Sequence, residues 1–438
     1  MTIYNISVDS TDSAEKGMCT TYLGAVLLER LEKLPMDLMT YPELIRLNPN
    51  VPWKTRGNGA VCFRYEGEEG LEEEILYISE ELIEELSVFE DPQTNPGLAF
   101  LEGVPSEVLK KFYHDALRGI LTLDDAIIVA EKSKTLTKGW KNRRGTIGAL
   151  ASIGADLKQF TYEAIMYRPG DIKSRERKIE KEDIAKVHGR YPSTFFNVDE
   201  RGGPVCIPHS PCPVIIGIRG TDPGEVREAL LGITMQNAER WVLWKTNQHT
   251  DAHIIEARRI DDIKPYSSIS MVAEVSCKPD YGEGGHLHFD ITGPDNSMLT
   301  AWAYEPTKEF RKALSNLVPG DKIRVWGSVR EGCDDFGSGL NLEKVEVLSL
   351  EEVIVPINPR CPKCRGPTES MGKGQGLRCK SCGFRNGLKK VTEKIDRIME
   401  TGIIEPPMTA WRHLYKPFGI ELPDEEKISK PFFGIISG

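Results

Sequence analysis

Apolar and polar residues alternate along TIYNISVD at residues 2–9, which is the period of a half-buried strand. The period becomes helical over TYLGAVLLERLEK at 21–33. Two prolines in RLNPNVPWKTRGNG at 46–59 argue against helix, and Asn58-Gly59 predicts a tight turn before a strand in AVCFRY. The glutamate-rich stretch at 66–91 reads as a solvated helix face that points away from any nucleic acid. Further on, TIGALASIGADL predicts a small-residue helix and TYEAIMYRP a strand. TFFNVDERGGPVC, PVIIGIRG, PGEVREALLGI and RWVLWKTNQ then read as strand, strand, helix and strand. This succession suggests a β-α-β-β-α-β, ferredoxin-like unit.

From residue 268 the helical period fades. SISMVAEVSCK, HLHFDITG, MLTAWAYE, DKIRVWGSVRE and LNLEKVEVLSL predict five strands, with a helix in TKEFRKALSNL between the third and fourth. That order fits an OB-fold barrel. After a cysteine-rich segment, KKVTEKIDRIMETGI predicts a helix. The expected organisation is a multidomain α+β chain. Its units are residues 1–135, 136–258, 265–350 (the barrel), 357–387 (a zinc ribbon) and 388–438 (a helical tail).

A length of 438 residues suits several domains, and a net charge of −10 does not favour nucleic acid overall, so an RNA partner must be met by local basic patches. KSKTLTKGWKNRRG at 132–145 is one such patch. Another runs from Pro359 to Lys394, with ten Lys/Arg against two Glu. No apolar run spans a membrane and no signal segment is evident, which predicts a cytoplasmic protein without a membrane partner.

Cys361, Cys364, Cys379 and Cys382 form two CxxC pairs, the spacing of a closed structural Zn2+ site. Cys206 and Cys212 lack metal partners at a clear spacing. Asp9 and Asp12 lie where the first strand hands over to the first helix, beside Ser10. Two carboxylates there can hold Mg2+, and the helix start at Thr20 and Thr21 favours a phosphate, although the same residues serve as turns and caps. Lys54, Arg56 and Asn58 add cations and a turn rich in backbone N–H groups. RGTD, with Asp222, and WKTNQHTDAH, with Thr246, Asn247, Gln248 and Asp251, end two strands in dense polar clusters that suit a small ligand or a set of caps. His249 and His253 qualify as bases only by location. On the barrel, Phe289, Trp302, Tyr304 and Trp326 can stack on bases or fill the core, and His286 and His288 read as surface residues.

In order, DSTD…GMCTTYL, RLNPNVPWKTRGNGA, RRGTIGALASIGA, IGIRGTD, WKTNQHTDAH, the barrel pattern and the four-cysteine ribbon resemble the archaeal tRNA-isoleucine agmatidine synthetases over essentially the whole chain. The resemblance implies an ATP-dependent kinase-like domain at residues 1–135, followed by the ferredoxin-like, OB and ribbon units. It implies a carbon–nitrogen ligase that joins agmatine to C2 of the wobble cytidine of isoleucine tRNA with a CAU anticodon. The C2 oxygen would be phosphorylated first, and no protein partner would be obligatory. It further implies ATP, Mg2+ on Asp9 and Asp12, an autophosphorylated threonine at Thr20, and a phosphate pocket of Ser10, Thr21, Lys54, Arg56 and Asn58. The carboxylate for agmatine would be Asp222 or Asp251, with Thr246, Asn247 and Gln248 nearby. Ser10 departs from the family, which usually has a second aspartate there. Two other readings of the chain are a non-catalytic single-strand binder and a small-molecule kinase.

Overall fold

The first strand, Thr2–Asp9, lies at the heart of an 11-stranded sheet. This computed structural model describes residues 1–172, 174–332, 339–372, 374–385 and 387–436; Lys373, counted above in the basic ribbon, lies outside them. Thr2–Asp9 pairs antiparallel with Gly59–Gly67 and Gly97–Glu102, and helices cover both faces. Its alternation therefore separates two buried faces and not core from solvent. Tyr4, Ile6 and Val8 meet the helix Thr20–Leu31, while Asn5 and Ser7 are buried beneath the helix Gly145–Ile153. The Asn5 side chain is used up there, donating to the Leu101 and Gly103 carbonyls and accepting from Arg64.

Gly145–Ile153 needs its small residues. A Cβ on Gly97 would sit 2.1 Å from the backbone of Gly145, and one on Gly148 would sit 1.8 Å from the Asp9 carboxylate. The glycines let the helix press against the strand ends. The helix lies within 136–258, the expected second unit, and its face packs on the strands of the first.

The strands Arg240–Thr246, Thr161–Tyr167, Val214–Gly220 and Thr194–Phe195 continue the same sheet in that spatial order. In chain order this part runs strand 161–167, helix Lys181–Arg190, strand 194–195, strand 214–220, helix Pro223–Leu231, strand 240–246. The helix Lys181–Arg190 carries no clear sequence signal, because only Ile184 and Val187 are buried in an otherwise charged segment. The strand expected over 194–206 is only Thr194–Phe195. The halves join where Glu43–Arg46 runs parallel to Arg240–Thr246. Asn247 fastens this seam: its side chain accepts from the Arg46 N–H at 2.8 Å and donates to the Arg46 carbonyl at 2.8 Å and the Tyr113 hydroxyl at 3.1 Å.

A five-strand barrel follows: Ser268–Val275, Leu287–Thr292, Met298–Ala303, Lys322–Arg330 and Gly339–Ser349. It closes because Ser268–Val275 pairs with both Leu287–Thr292 and Lys322–Arg330. The helix Glu309–Leu314 inserts Phe310 and Leu314 into its core. Phe289 is fully buried in that core, so it is no stacking platform. Trp302 and Tyr304 are only half-buried, and their rings lie 5.0 Å from those of His288 and His286.

The helical tail expected over 388–438 is not formed. Val391–Ile395 pairs as a strand with Val353–Ile357, Gly402–Ile404 adds to the barrel, and Phe433–Ile435 adds to the central strand Arg240–Thr246. Helix propensity is a weak prior, and β-branched residues beside open strand edges override it. Prolines at 406, 407, 417, 423 and 431 break any helix further on. No helix among the described residues is long and apolar enough to cross a membrane.

Replacing Asn247 with alanine strands the Arg46 N–H and carbonyl in the seam. The expected loss is roughly 2–4 kcal/mol of unfolding free energy, measured by urea denaturation, with no change in far-ultraviolet dichroism of the folded protein.

Candidate functional site

Between the two halves of the sheet and the C-terminal tail lies a cleft of about 760 Å³. Asp12, Thr20, Thr21, Lys54, Arg56 and Asn58 all line it, so folding brings together most of the residues picked from the amino-terminal sequence. Cys19 caps the helix Thr20–Leu31 without a side-chain acceptor, so the positive helix end opens toward the cleft. The Thr20 hydroxyl accepts from the Thr11 hydroxyl at 3.0 Å.

Arg56 is the hub of this wall. Its Nε lies 2.8 Å from Asp12, its Nη1 donates to the Met18 carbonyl and Ser210, and its Nη2 reaches the Cys19 sulfur at 3.0 Å. Burial opposes its charge, but Cys19 and Asp12 outweigh that and hold it protonated. Thr55 donates to the other Asp12 oxygen at 2.8 Å. Lys54 bonds the carbonyls of Pro49 and Val51, and Asn58 that of Asn48, so the loop is tied back on itself.

A smaller chamber of about 70 Å³ lies beyond that loop, lined by Asp9, Ser10, Trp53, Arg144 and Gly145. Lys54, Thr55 and Asn58 line both spaces and form the partition. The helix Gly145–Ile153 also starts at this chamber, with its first three N–H groups taken by the carbonyls of Asn95, Arg143 and Arg144. The Asp9 pKa is pushed up to about 7, chiefly by burial and further by Asp12, against a backbone N–H from Ser10. A cation beside it restores the ordinary charge. Asp9 and Asp12 thus face different spaces, and Asp12 is already paired.

The strand-end clusters have other work. Asp222 caps the helix Pro223–Leu231 through the N–H groups of Gly224 and Glu225, and pairs with Lys427. Asp251 pairs with Lys344 at 2.7 Å and accepts from the Lys416 N–H. Thr246 accepts from the Gln248 N–H, Asn247 holds the seam, and Gln248 bonds Glu163 and His413. None of these five lines the cleft or the chamber.

The cleft's far wall holds residues the sequence reading missed: Arg46, Glu163, Phe196, Arg219 and Trp411–Leu414. Glu163 is its second carboxylate, 2.9 Å from Arg219 on the neighbouring strand. A lone acid in the apolar strand TYEAIMY was the signal available. Phe196 and Trp411 stack with ring planes 17° apart, and Tyr415 continues the stack. His249 is buried, with its pKa held down to about 3 by burial and by Arg219. That makes it a poor general base. Arg46, then burial, holds His413 uncharged as well.

In the ribbon, the sulfurs of Cys361, Cys364, Cys379 and Cys382 lie within 4.8 Å of one another. Tetrahedral Zn–S bonds of ~2.3 Å put sulfurs about 3.8 Å apart, so the geometry fits Zn2+. Backbone N–H groups of Cys382 and Ser381 bring the Cys379 thiol down to about 6, favouring the thiolate a metal needs. Cys206 joins no metal cluster among the described residues, and burial pushes its thiol up to about 12.

Comparisons with known proteins agree along the chain. Family models described as the TiaS TCKD domain, the TiaS FLD domain and the TiaS C-terminal zinc ribbon domain match residues 5–141, 143–253 and 358–399. A tRNA 2-agmatinylcytidine synthetase TiaS from Thermococcus sibiricus is 40% identical over 96% of this chain and 97% of its own length. The Archaeoglobus fulgidus relative of the same name is 38% identical over 94% and 96%. A solved TiaS complex with isoleucine tRNA and ATP superimposes with a TM-score of 0.86, at 36% identity over 97% of this chain and 99% of that one. A complex with tRNA, AMPCPP and agmatine gives 0.82, at 35% identity over 95% and 97%.

Because folding depresses the His249 pKa below its unfolded value near 6.5, stability is full above that pH and is lost as pH falls toward 3. The expected contribution is on the order of 4 kcal/mol over that window. Urea denaturation from pH 7.5 to 4 measures it, and His249→Asn should flatten the slope.

Proposed function

The chain belongs to the TiaS family of tRNA 2-agmatinylcytidine synthetases, and from that premise we infer how its cleft performs the family reaction. It is an ATP-dependent ligase that joins agmatine to C2 of the wobble cytidine of isoleucine tRNA with a CAU anticodon. We assign residues 1–135 to a kinase-like domain, 136–258 to a ferredoxin-like domain, 265–350 to an OB fold and 357–387 to a zinc ribbon. The chemistry of its substrates suits the cytoplasm.

A cytosine C2 oxygen is a poor leaving group. Transfer of a phosphoryl group from ATP to that oxygen makes orthophosphate the leaving group. The agmatine amine then bonds to C2, the C2–O bond breaks, and the amine gives up a proton. Phosphoryl transfer depends on position and charge neutralisation more than on covalent help from the protein. The observation that carries this reading is the shared partition: Lys54, Thr55 and Asn58 separate two spaces, with the uncapped start of the helix Thr20–Leu31 on the cleft side and the Asp9 carboxylate on the other. The phosphates approach from the chamber of Asp9, Ser10 and Arg144. The flipped pyrimidine enters the cleft past Thr20, Thr21 and Arg56. Asp12 holds Arg56 in place, and Thr20 is positioned to take a phosphoryl group itself.

Mg2+ suits Asp9, a buried carboxylate short of a compensating charge, with the Ser10 hydroxyl and nucleotide phosphates completing the ligands. When bound, it neutralises phosphate charge. Ser10, in place of a second aspartate, leaves that position uncharged. Glu163 is the better-placed partner for agmatine's guanidinium than Asp222 or Asp251, because it lines the cleft.

Incubation with ATP, agmatine and an isoleucine tRNA transcript should yield agmatinylated cytidine by nucleoside mass spectrometry. Thr20→Ala or Asp12→Ala should lose at least about 100-fold in rate, as expected when a positioning group for charge transfer is removed, while tRNA binding in a filter assay is kept. Chelation that strips the ribbon should weaken tRNA binding and leave ATP binding intact. Equal loss of both would show that the metal supports the whole fold.

A further inference from the structure

His249 lines the cleft and carries an unused acceptor. Its Nδ1 lies 2.8 Å from the Tyr415 carbonyl, which can only accept, so Nδ1 carries the proton. In the neutral ring Nε2 is then a bare lone pair. It is buried, in a side chain only 1% exposed, and has no hydrogen-bond partner among the described residues. Such a group costs free energy unless a ligand satisfies it.

The fold holds this ring firmly. The His249 backbone sits in the left-handed region at φ 55°, which a non-glycine residue adopts only when its surroundings impose it. Its N–H donates to the His413 carbonyl, and that of Asp251 donates to the Leu414 carbonyl. The Phe195 and Phe196 rings lie 5.3 Å and 5.6 Å from the imidazole, and Phe196 stacks on Trp411. Packed aromatic rings therefore hold the acceptor in place. On the same cavity wall the buried Arg46 Nε is a donor with no partner among the described residues.

We propose that His249 Nε2 accepts a hydrogen bond from the 4-amino group of the flipped cytosine, while Arg46 donates to its N3–O2 edge, so that this pair admits cytosine and rejects uracil. The inference rests on the reading of the cleft as the pyrimidine site. Cytosine offers donor, acceptor, acceptor along its pairing edge. Uracil offers acceptor, donor, acceptor, which sets its O4 against the His249 lone pair and its N3–H against Arg46. A hydrogen-bonding site rejects a mismatched ligand because its own buried groups are left unpaired.

The test uses isoleucine tRNA carrying cytidine or, at the wobble position, a pyrimidin-2-one nucleoside that lacks the 4-amino group. Product formation is measured with wild type, His249→Asn and His249→Gln. Asparagine keeps a donor for the Tyr415 carbonyl and removes the Nε2 acceptor, while glutamine restores an acceptor there. For wild type, loss of the amino group should lower kcat/KM by about 10- to 100-fold. His249→Asn should lose a similar factor on cytidine and show no further loss on the analogue, with glutamine recovering part. Thermal melting of His249→Asn confirms a folded protein. Full sensitivity to the amino group in His249→Asn, with a raised KM for agmatine, would overturn the proposal and assign the lone pair to the amine. Failure of the wild type to modify cytidine tRNA at all would instead overturn the reading of the cleft.

Discussion

One half-buried guanidinium ties the site together. Arg56 touches Asp12 from the first strand's end, Met18 and Cys19 from the helix start, and Ser210 from the second half of the sheet. These segments are far apart in sequence, and no other side chain in the cleft joins as many of them in the contacts described above. Removing Asp12 leaves this partly exposed guanidinium without its nearest counter-charge. The same contact orients the Asp12 carboxylate and fixes one wall of the partition. Stability and chemistry therefore rest on the same interaction.

The rest of the molecule serves that wall. Gly97, Gly145 and Gly148 let a helix end press against Asp9. Asn247 closes the seam that aligns the two halves of the sheet. The tail crosses back from the barrel and adds Phe433–Ile435 to the central strand, and on the way Trp411–Leu414 complete the far wall. Lys344 of the barrel bonds both Asp251 and the Lys416 carbonyl, which couples the barrel to the loop carrying His249. The barrel thus stays in register with the cleft.

What the sequence revealed follows from how local each signal is. Period-two strands such as Thr2–Asp9 and those of the barrel were legible because a neighbour's burial imposes alternation. The ribbon was legible because CxxC spacing alone brings sulfurs together. The helix Lys181–Arg190 was hidden because two apolar residues suffice to seat it. The tail misled because VTEKI suits a strand or a helix until a partner edge is available. In the cleft, Asp12, Thr20 and Arg56 could be singled out from motifs. Glu163, Phe196 and Trp411 could not, because only the tertiary fold brings three separate segments to one wall. Asp222 and Asp251 looked like ligand groups for the reason that caps and ligands use the same side chains.

The account's central claim is that the partition of Lys54, Thr55 and Asn58 lies between a nucleotide and the base it activates. A structure of the full chain with isoleucine tRNA and a non-hydrolysable ATP analogue tests this most directly. The account predicts the terminal phosphate at the partition, within hydrogen-bond reach of Lys54 or Arg56, and the wobble pyrimidine in the cleft beside Phe196. A triphosphate lodged elsewhere, with the partition contacting neither ligand, would contradict it.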